Sequence, residues 1–337
     1  MLPAARLRNT ASVLIVALWA ISLLTVFAVI LSSKVKQQLA VALRLEERGK
    51  LRFICEAGVK KAIMQIRKSF NNSCDTFKDQ ALNNEAAFRD QRLGGAILNV
   101  CYNTDNEQPP LVLFGAIDEQ GKININKSEE EVLRRLFRLA LGSGEMKAQE
   151  LAASIVDWRD PDNQLSIPLG SAESPYYNNL EFSYAAKDNA FDILEEVLLV
   201  KGMSEDDFTK IKNYITIYGN GKVNINTASR KVLLSLGLKE DIVEDILVFR
   251  SGKDGVTGTP DDLVFNEFSE IVPKLSAAFR FSDSQIAHLS NIAGRFFTVK
   301  SNAFMIRSVA RLASGKHESC VVCVVDRSGK ILYWREL

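Results

Sequence analysis

The side chains in this sequence best suited to chemistry are carboxylates gathered on irregular loops. Asp254, Asp261 and Asp262 fall within GKDGVTGTPDD, and Asp157, Asp160, Asp162 and Glu173 gather in a second stretch. Acids on flexible backbone suit a hard, oxygen-seeking cation such as calcium, because backbone carbonyls can join its shell. Neither stretch has EF-hand spacing, and the competing expectation is that the acids are solvated turn residues and helix caps. The 254–262 loop is the stronger candidate of the two. A hydrolase built on paired carboxylates would need a fixed separation between two acids, and nothing in the sequence sets one.

Other chemistries have little to work with. The two histidines, His288 and His317, leave scant material for an imidazole base or a zinc set. Cys320 and Cys323 lie three apart in an apolar run, so on a strand they face opposite sides and read as core thiols. Cys74 and Cys101 stand outside regular elements and form a candidate disulfide, with no pairing fixed by one sequence. The turns around Gly202 and Gly237 look like helix-hairpin-helix units, which can hold a phosphate on backbone N–H groups. The acids that follow, Glu205, Asp206, Asp207, Glu240 and Asp241, repel a phosphate, so packing is their expected role and nucleic acid is not an expected partner.

Elements that must position these loops are legible in the composition and patterning. The 337 residues are 47% hydrophobic and 25% charged, with 42 basic against 41 acidic side chains and a net charge of +1. Such a chain folds into about two globular domains, is not disordered, and carries no general attraction for nucleic acid. Val13 to Leu31 is an uncharged run with only Ser22 and Thr25 polar, long enough to cross a bilayer. Arg6 and Arg8 favour a cytoplasmic N-terminus, with Lys34 and Lys36 pulling the other way. Leu39, Leu43, Leu45, Leu51, Ile54, Val59, Ile63 and Ile66 then recur at roughly helical spacing. The run is therefore either one continuous helix from Ser12 to about Lys68, roughly 85 Å long, or an anchor followed by a separate soluble helix.

An internal repeat dominates the body. Gly121-Lys122-Ile123-Asn124-Ile125-Asn126 returns as Gly221-Lys222-Val223-Asn224-Ile225-Asn226, and Ser154–Arg159 and Phe191–Glu196 have counterparts in Asp245–Arg250 and Phe265–Glu270. Ser128 with Glu131 predicts a capping box in one copy, and Thr227 predicts the cap of a helix through Leu236 in the other. A duplicated, mainly helical unit is thus expected over 121–294. Alternating runs at Ala96–Tyr102 and Leu111–Asp118 precede it, and runs at Phe296–Lys300, Phe304–Leu312, Cys320–Val325 and Ile331–Trp334 follow. The expected fold class is α+β: an N-terminal helix over 12–70, an antiparallel sheet split between 71–120 and 295–337, and the helical unit inserted between its strands.

The apolar helix, GKININ and GKVNINT, DWRDPDN with Glu173-Ser174-Pro175-Tyr176-Tyr177, FDILEEVLLVKGM and the closing ILYWRE together resemble the minor pseudopilin K subunit of type II secretion systems. The resemblance covers almost the whole chain. It implies an inner-membrane, single-pass protein with its C-terminal body in the periplasm, calcium in that body, and a structural rather than enzymatic role at the pseudopilus tip. Its implied partners are other minor pseudopilins, the major pseudopilin, the prepilin peptidase and the inner-membrane secretion platform. It also implies a leader over 1–11 cut between Ala11 and Ser12, although the family's leader normally ends in glycine. The glutamate that pilins carry near the mature N-terminus falls on Val16. A membrane-anchored calcium-dependent binding module and a hairpin-based DNA-uptake protein are the competing functions.

Overall fold

The computed structural model describes residues 7–104, 111–313, 315 and 317–337, with side chains from Ser12 onward. The first six residues of the expected leader, most of the 103–110 loop and Ser314 of an expected turn lie outside the described residues. A single helix, Leu7–Lys68, resolves the choice between one helix and two: the apolar run and the amphipathic run are continuous. Gly49 and Gly58 are both inside it. Residues 12–45 are exposed throughout. Beyond them Leu51, Cys55, Val59, Ala62 and Ile66, spaced three or four apart, form a buried stripe.

That stripe lies on one face of an antiparallel sheet of order Gln91–Leu93, Ala96–Val100, Ala303–Leu312, Glu318–Asp326, Ile331–Glu336, with Ile117–Asp118 also paired to Ala303–Leu312. Leu98, Val100, Phe304, Ile306, Ala310, Val321, Cys323 and Val325 alternate along their strands and meet the helix. Gly58 permits the close approach, since a Cβ there would sit 2.3 Å from Ser308 Oγ and 3.0 Å from a Leu98 methyl. The closing meander matches expectation, but the two earlier strands are shorter and broken: Tyr102–Asn103 pairs with Val112–Leu113 in a separate ribbon.

The duplicated unit forms a second core. Each copy opens with a two-residue strand and closes with another that pairs to it in parallel: Ile123–Asn124 with Ile215–Thr216, and Val223–Asn224 with Phe297–Thr298. Phe297–Thr298 was expected in the sheet; it belongs to the second copy, which therefore runs past 294. The shared asparagines explain the repeat. Asn126 donates to Phe191 O and accepts from Phe191 N, and Asn226 does the same to Phe265. Arg159 binds the carbonyls of Ile125 and Ser128, and Arg250 those of Ile225 and Ala228. These residues tie each loop to its own helices, so their role is to close a fold unit.

The expected caps fall elsewhere. Ser128 Oγ donates to Asn124 O, and the helix Glu130–Leu141 begins after Glu129 without a side-chain cap. Ser229 caps Arg230–Ser235 through Val232 N, while Thr227 gives its hydroxyl to Asp118 Oδ2 at 2.6 Å. Asp118 accepts from Asn224 Nδ2, Ser301 Oγ and Gln120 N as well. Next to it Arg327 grips both oxygens of Asp75, and Ser301 N reaches Asp75 at 2.7 Å. This buried network joins the sheet to the second copy of the unit.

Asn224 Nδ2 has three acceptors within reach, Asp75 O, Asp118 Oδ2 and Ser301 Oγ, whereas Asn124 Nδ2 has Tyr218 O. Removing a donor from a buried carboxylate costs more than removing one from a carbonyl. Asn224→Ala is expected to cost roughly 2–4 kcal/mol and Asn124→Ala roughly 1–2 kcal/mol in denaturant unfolding of the detergent-solubilised chain. Equal losses would mean that the network does not join the two halves.

Candidate functional site

The helix Glu145–Arg159 ends at Asp160, and a loop carries the chain to Glu173, which precedes the short helix Ser174–Asn178 with Pro175 in its first turn. Carboxylate oxygens of Asp160, Asp162 and Glu173 come within 4.8 Å of one another. Glu173 is 3% exposed, and both of its oxygens, together with Oδ1 of Asp160, have no hydrogen-bond partner. Burial, and then the charges of Asp157 and Asp160, push Glu173 up to about 7. Asp160 is raised as well, by burial first and by Asp162 and Asp157 next. Asp157, expected among the ligands, accepts Ser166 N at 3.1 Å instead and is fully buried beneath the loop.

A buried, unpaired carboxylate group is costly, and the donor set here is oxygen alone. Arg159, the adjacent cation in the chain, is committed to the Ile125 and Ser128 carbonyls. Asp160, Asp162 and Glu173 therefore fit a hard divalent cation, which would supply the missing charge.

The second loop is built differently. Oxygens of Asp254, Asp261 and Asp262 also lie within 4.8 Å of one another. Asp261 accepts from Lys253 N at 2.7 Å, Asp254 N at 3.2 Å and Thr259 Oγ1 at 2.7 Å, which hold it down to about 2, the Thr259 hydroxyl contributing most. Asp262 accepts from Gly258 N at 2.7 Å, and Asp254 from Val256 N at 2.8 Å. Gly252 and Gly258 take φ of +65° and +88°, conformations that favour glycine. Lys78 Nζ ties the loop down through Pro260 O and Asp262 O. This loop satisfies its acids from its own backbone, so the greater unmet demand for a cation lies at Asp160, Asp162 and Glu173, the reverse of the order expected.

The remaining candidates are placed as follows. Ala11 and Ser12 lie inside the continuous helix Leu7–Lys68, whose Val16 is 64% exposed. Among the described residues this is the helix long and apolar enough to cross a membrane. Cys74 and Cys101 carry free thiols, so the candidate disulfide is not formed; Cys74 Sγ lies 3.8 Å from Asn266 Oδ1. Cys320 and Cys323 are buried, as strand alternation and hydrophobicity predict. At the hairpins, a Cβ on Gly202 would touch Leu151 and one on Gly237 would meet the Arg135 guanidinium, so both turns pack against protein. The second hairpin glycine does not face open solvent, where a phosphate could approach.

Residues 103–220, from the ribbon through the end of the first copy, match the family model described as type II secretion system protein K, first domain. No curated protein matches the chain. In fold it is similar to a chain of the GspK–GspI–GspJ complex from the type 2 secretion system of enterotoxigenic Escherichia coli. That likeness has a TM-score of 0.64 at 15% identity and covers 87% of this chain and 98% of the other. Residues 103–220 thus resemble protein K of type II secretion systems in sequence, and the chain resembles a solved type 2 secretion system structure in fold over most of its length.

Proposed function

We propose that the chain is a minor pseudopilin that caps the tip of the type II secretion pseudopilus, anchored in the inner membrane with its sheet and duplicated unit in the periplasm. The observation that carries this is the protein K match over residues 103–220 on a body attached to a 62-residue helix whose first half is exposed and apolar. Such a helix needs lipid before assembly and neighbouring helices after it. The relative of known structure is in a complex with two further proteins, GspI and GspJ, which supports other minor pseudopilins as partners. The major pseudopilin, the prepilin peptidase and the secretion platform complete the partner set. The role is structural rather than enzymatic.

A carboxylate inside the membrane is stable only when paired, for example with a neighbour's N-terminal ammonium. Val16 removes that requirement, so this subunit can stand first with no subunit above it. Val16→Glu is expected to weaken cross-linking to the other minor pseudopilins and to reduce secretion. Unchanged cross-links and secretion would refute the tip placement drawn from this position.

The leader is expected to be cut after Ala11 by the prepilin peptidase, giving a chain that begins at Ser12. Mass spectrometry of membrane-extracted protein should find that start. An intact Met1 chain in cells with active peptidase would exclude it.

Calcium completes the reading. It binds Asp160, Asp162 and Glu173, where buried oxygens lack partners, and more weakly the Asp254, Asp261 and Asp262 loop. Occupancy fixes the loops that follow Arg159 and Arg250. The melting temperature of the full chain in detergent should rise with calcium and saturate, by about 2.7 kcal/mol of stabilisation at a hundredfold excess over Kd. Glu173→Gln should remove most of that gain, and Asp261→Ala with Asp262→Ala the smaller remainder. The same midpoint in chelator and in millimolar calcium would leave both loops without a cation and the assembly role untouched. If calcium stabilises the protein while Val16→Glu and loss of the other pseudopilins change nothing, the anchored calcium-dependent binding module is the better function.

A further inference from the structure

The face of the sheet turned away from the long helix is only partly covered. Between it and the first copy of the duplicated unit lies a cleft of about 570 Å³, within the roughly 300–1,000 Å³ common for ligand sites. Met305, Val322, Val324 and Tyr333 form its floor. They alternate with the residues that pack on the helix, so strand geometry puts them together on this side. Phe208 and Tyr218 line the cleft from the first copy. Neither the acidic loops nor the buried network uses this space.

The charged side chains here divide into two sets. Glu119 is taken by Lys122 and the Thr216 hydroxyl, and Glu195 by Arg335 at 2.7 Å. Arg307 and Lys212 line the cleft as well, both exposed, and neither has a carboxylate within ion-pair distance among the described residues. Arg307 belongs to the interior of this space and not to the sheet edge. Its partner in register is Val322, and Met305 with Val324 forms the next row on the same face. A group resting on Val322 and Val324 therefore lies about one strand spacing, roughly 4.8 Å, from the Arg307 backbone, well inside the reach of its side chain. Lys212 directly follows the helix Glu205–Ile211 and brings a second positive charge from the first copy.

Two demands are thus unmet in one space. Rings and aliphatic side chains on both sides offer contact to a flat apolar body, and a guanidinium without a partner offers a bidentate pair to a carboxylate. We propose that the cleft binds a carboxylate carried on an aromatic body, its acid on Arg307 and its ring between the floor and the first copy, with Lys212 adding to the attraction. A free aromatic acid and the C-terminal residue of a protein chain ending in phenylalanine share this chemistry.

N-acetyl-4-fluorophenylalanine is a small probe that carries both parts, and its amide keeps the shape without the charge. Fluorine NMR titration of the full chain in a non-ionic detergent should show saturable broadening, with the acid bound roughly tenfold more tightly than the amide and the difference reduced by salt. Arg307→Gln should remove most of that preference and Lys212→Gln a smaller part. Lys210→Gln, which removes the same charge from a side chain outside the cleft, should leave it unchanged. Melting curves equal to that of the parent show that the variants are folded, and the comparison of acid with amide on the parent chain needs no variant. A peptide Ser-Gly-Ser-Gly-Phe with a free C-terminus separates the two sources: binding as tight as the probe or tighter assigns the cleft to a chain end, and weaker binding assigns it to a free acid. The proposal is overturned by equal binding of acid and amide, by an unchanged preference in Arg307→Gln, or by no saturable binding of the acid.

Discussion

Asp118, 5% exposed, collects four hydrogen bonds, one from Gln120 beside it and three from remote parts of the sequence: Asn224 and Thr227 from the second copy, and Ser301 from the segment that returns to the sheet. Burial raises the pKa of this carboxyl and favours its neutral form, and the four donors oppose that shift without cancelling it. Ser301 also gives its N–H to Asp75, whose two oxygens Arg327 holds, and Arg327 Nε returns to Ser301 O. The two cores share no long element that could fix them. These side chains hold the two together, helped by Lys78 on Pro260 O and Asp262 O, Asn83 on Gly258 O and Arg335 on Glu195, and a charged group buried without all its donors would cost several times what any one bond contributes.

Duplication supplied the raw material for that joint, and divergence put it to use. In both copies the first asparagine of the motif turns its Oδ1 to the backbone N–H two residues on, and the second clamps a phenylalanine. The difference is the amide nitrogen of the first asparagine. Asn124 meets Tyr218 O within its own copy, whereas Asn224 reaches out to Asp75, Asp118 and Ser301. A hydroxyl in each copy reaches the carbonyl of the first asparagine, Ser128 to Asn124 O and Thr227 to Asn224 O at 3.4 Å, but Thr227 is drawn closer to Asp118 Oδ2, at 2.6 Å.

Long-range periodicity made much of this legible. Helical spacing marked both runs of the long helix while leaving their continuity open, and strand alternation placed the meander, because each signal accumulates over many residues. The repeat was visible as identity, yet its helix starts were misplaced. Ser128 and Thr227 have the chemistry of caps, but Ser128 bonds back to the carbonyl of Asn124 four residues earlier, and Thr227 gives its hydroxyl to the buried Asp118, a tertiary acceptor that no local pattern reveals. The same limit hid the parallel pairs, each two residues long and joined across some seventy or ninety residues of chain. Among the acids, composition drew attention to the glycine-rich 254–262 loop. Glycine there lets backbone N–H groups turn inward onto the carboxylates, which satisfies them, while Glu173 is starved of donors by burial that only the folded chain displays.

The two acidic loops occupy equivalent places. Each leaves a helix whose last residue is the clamping arginine, Arg159 or Arg250, and each ends near the phenylalanine held by the second asparagine, Phe191 or Phe265. The loop is therefore pinned at both ends by the repeat itself, and only its middle is free to vary. In the second copy that middle is short and closes on its own N–H groups, with Lys78 fastening it to the segment that leads out of the long helix. In the first copy the middle is longer, carries the exposed Leu165, Leu169 and Phe182, and leaves Glu173 and Asp160 turned inward without partners. Two ends held rigidly make ordering the middle cheaper, because less chain entropy remains to be lost when a ligand fixes it. The first copy thus leaves buried carboxylate oxygens unpaired between two pinned ends, whereas the second copy holds its loop largely through its own N–H groups.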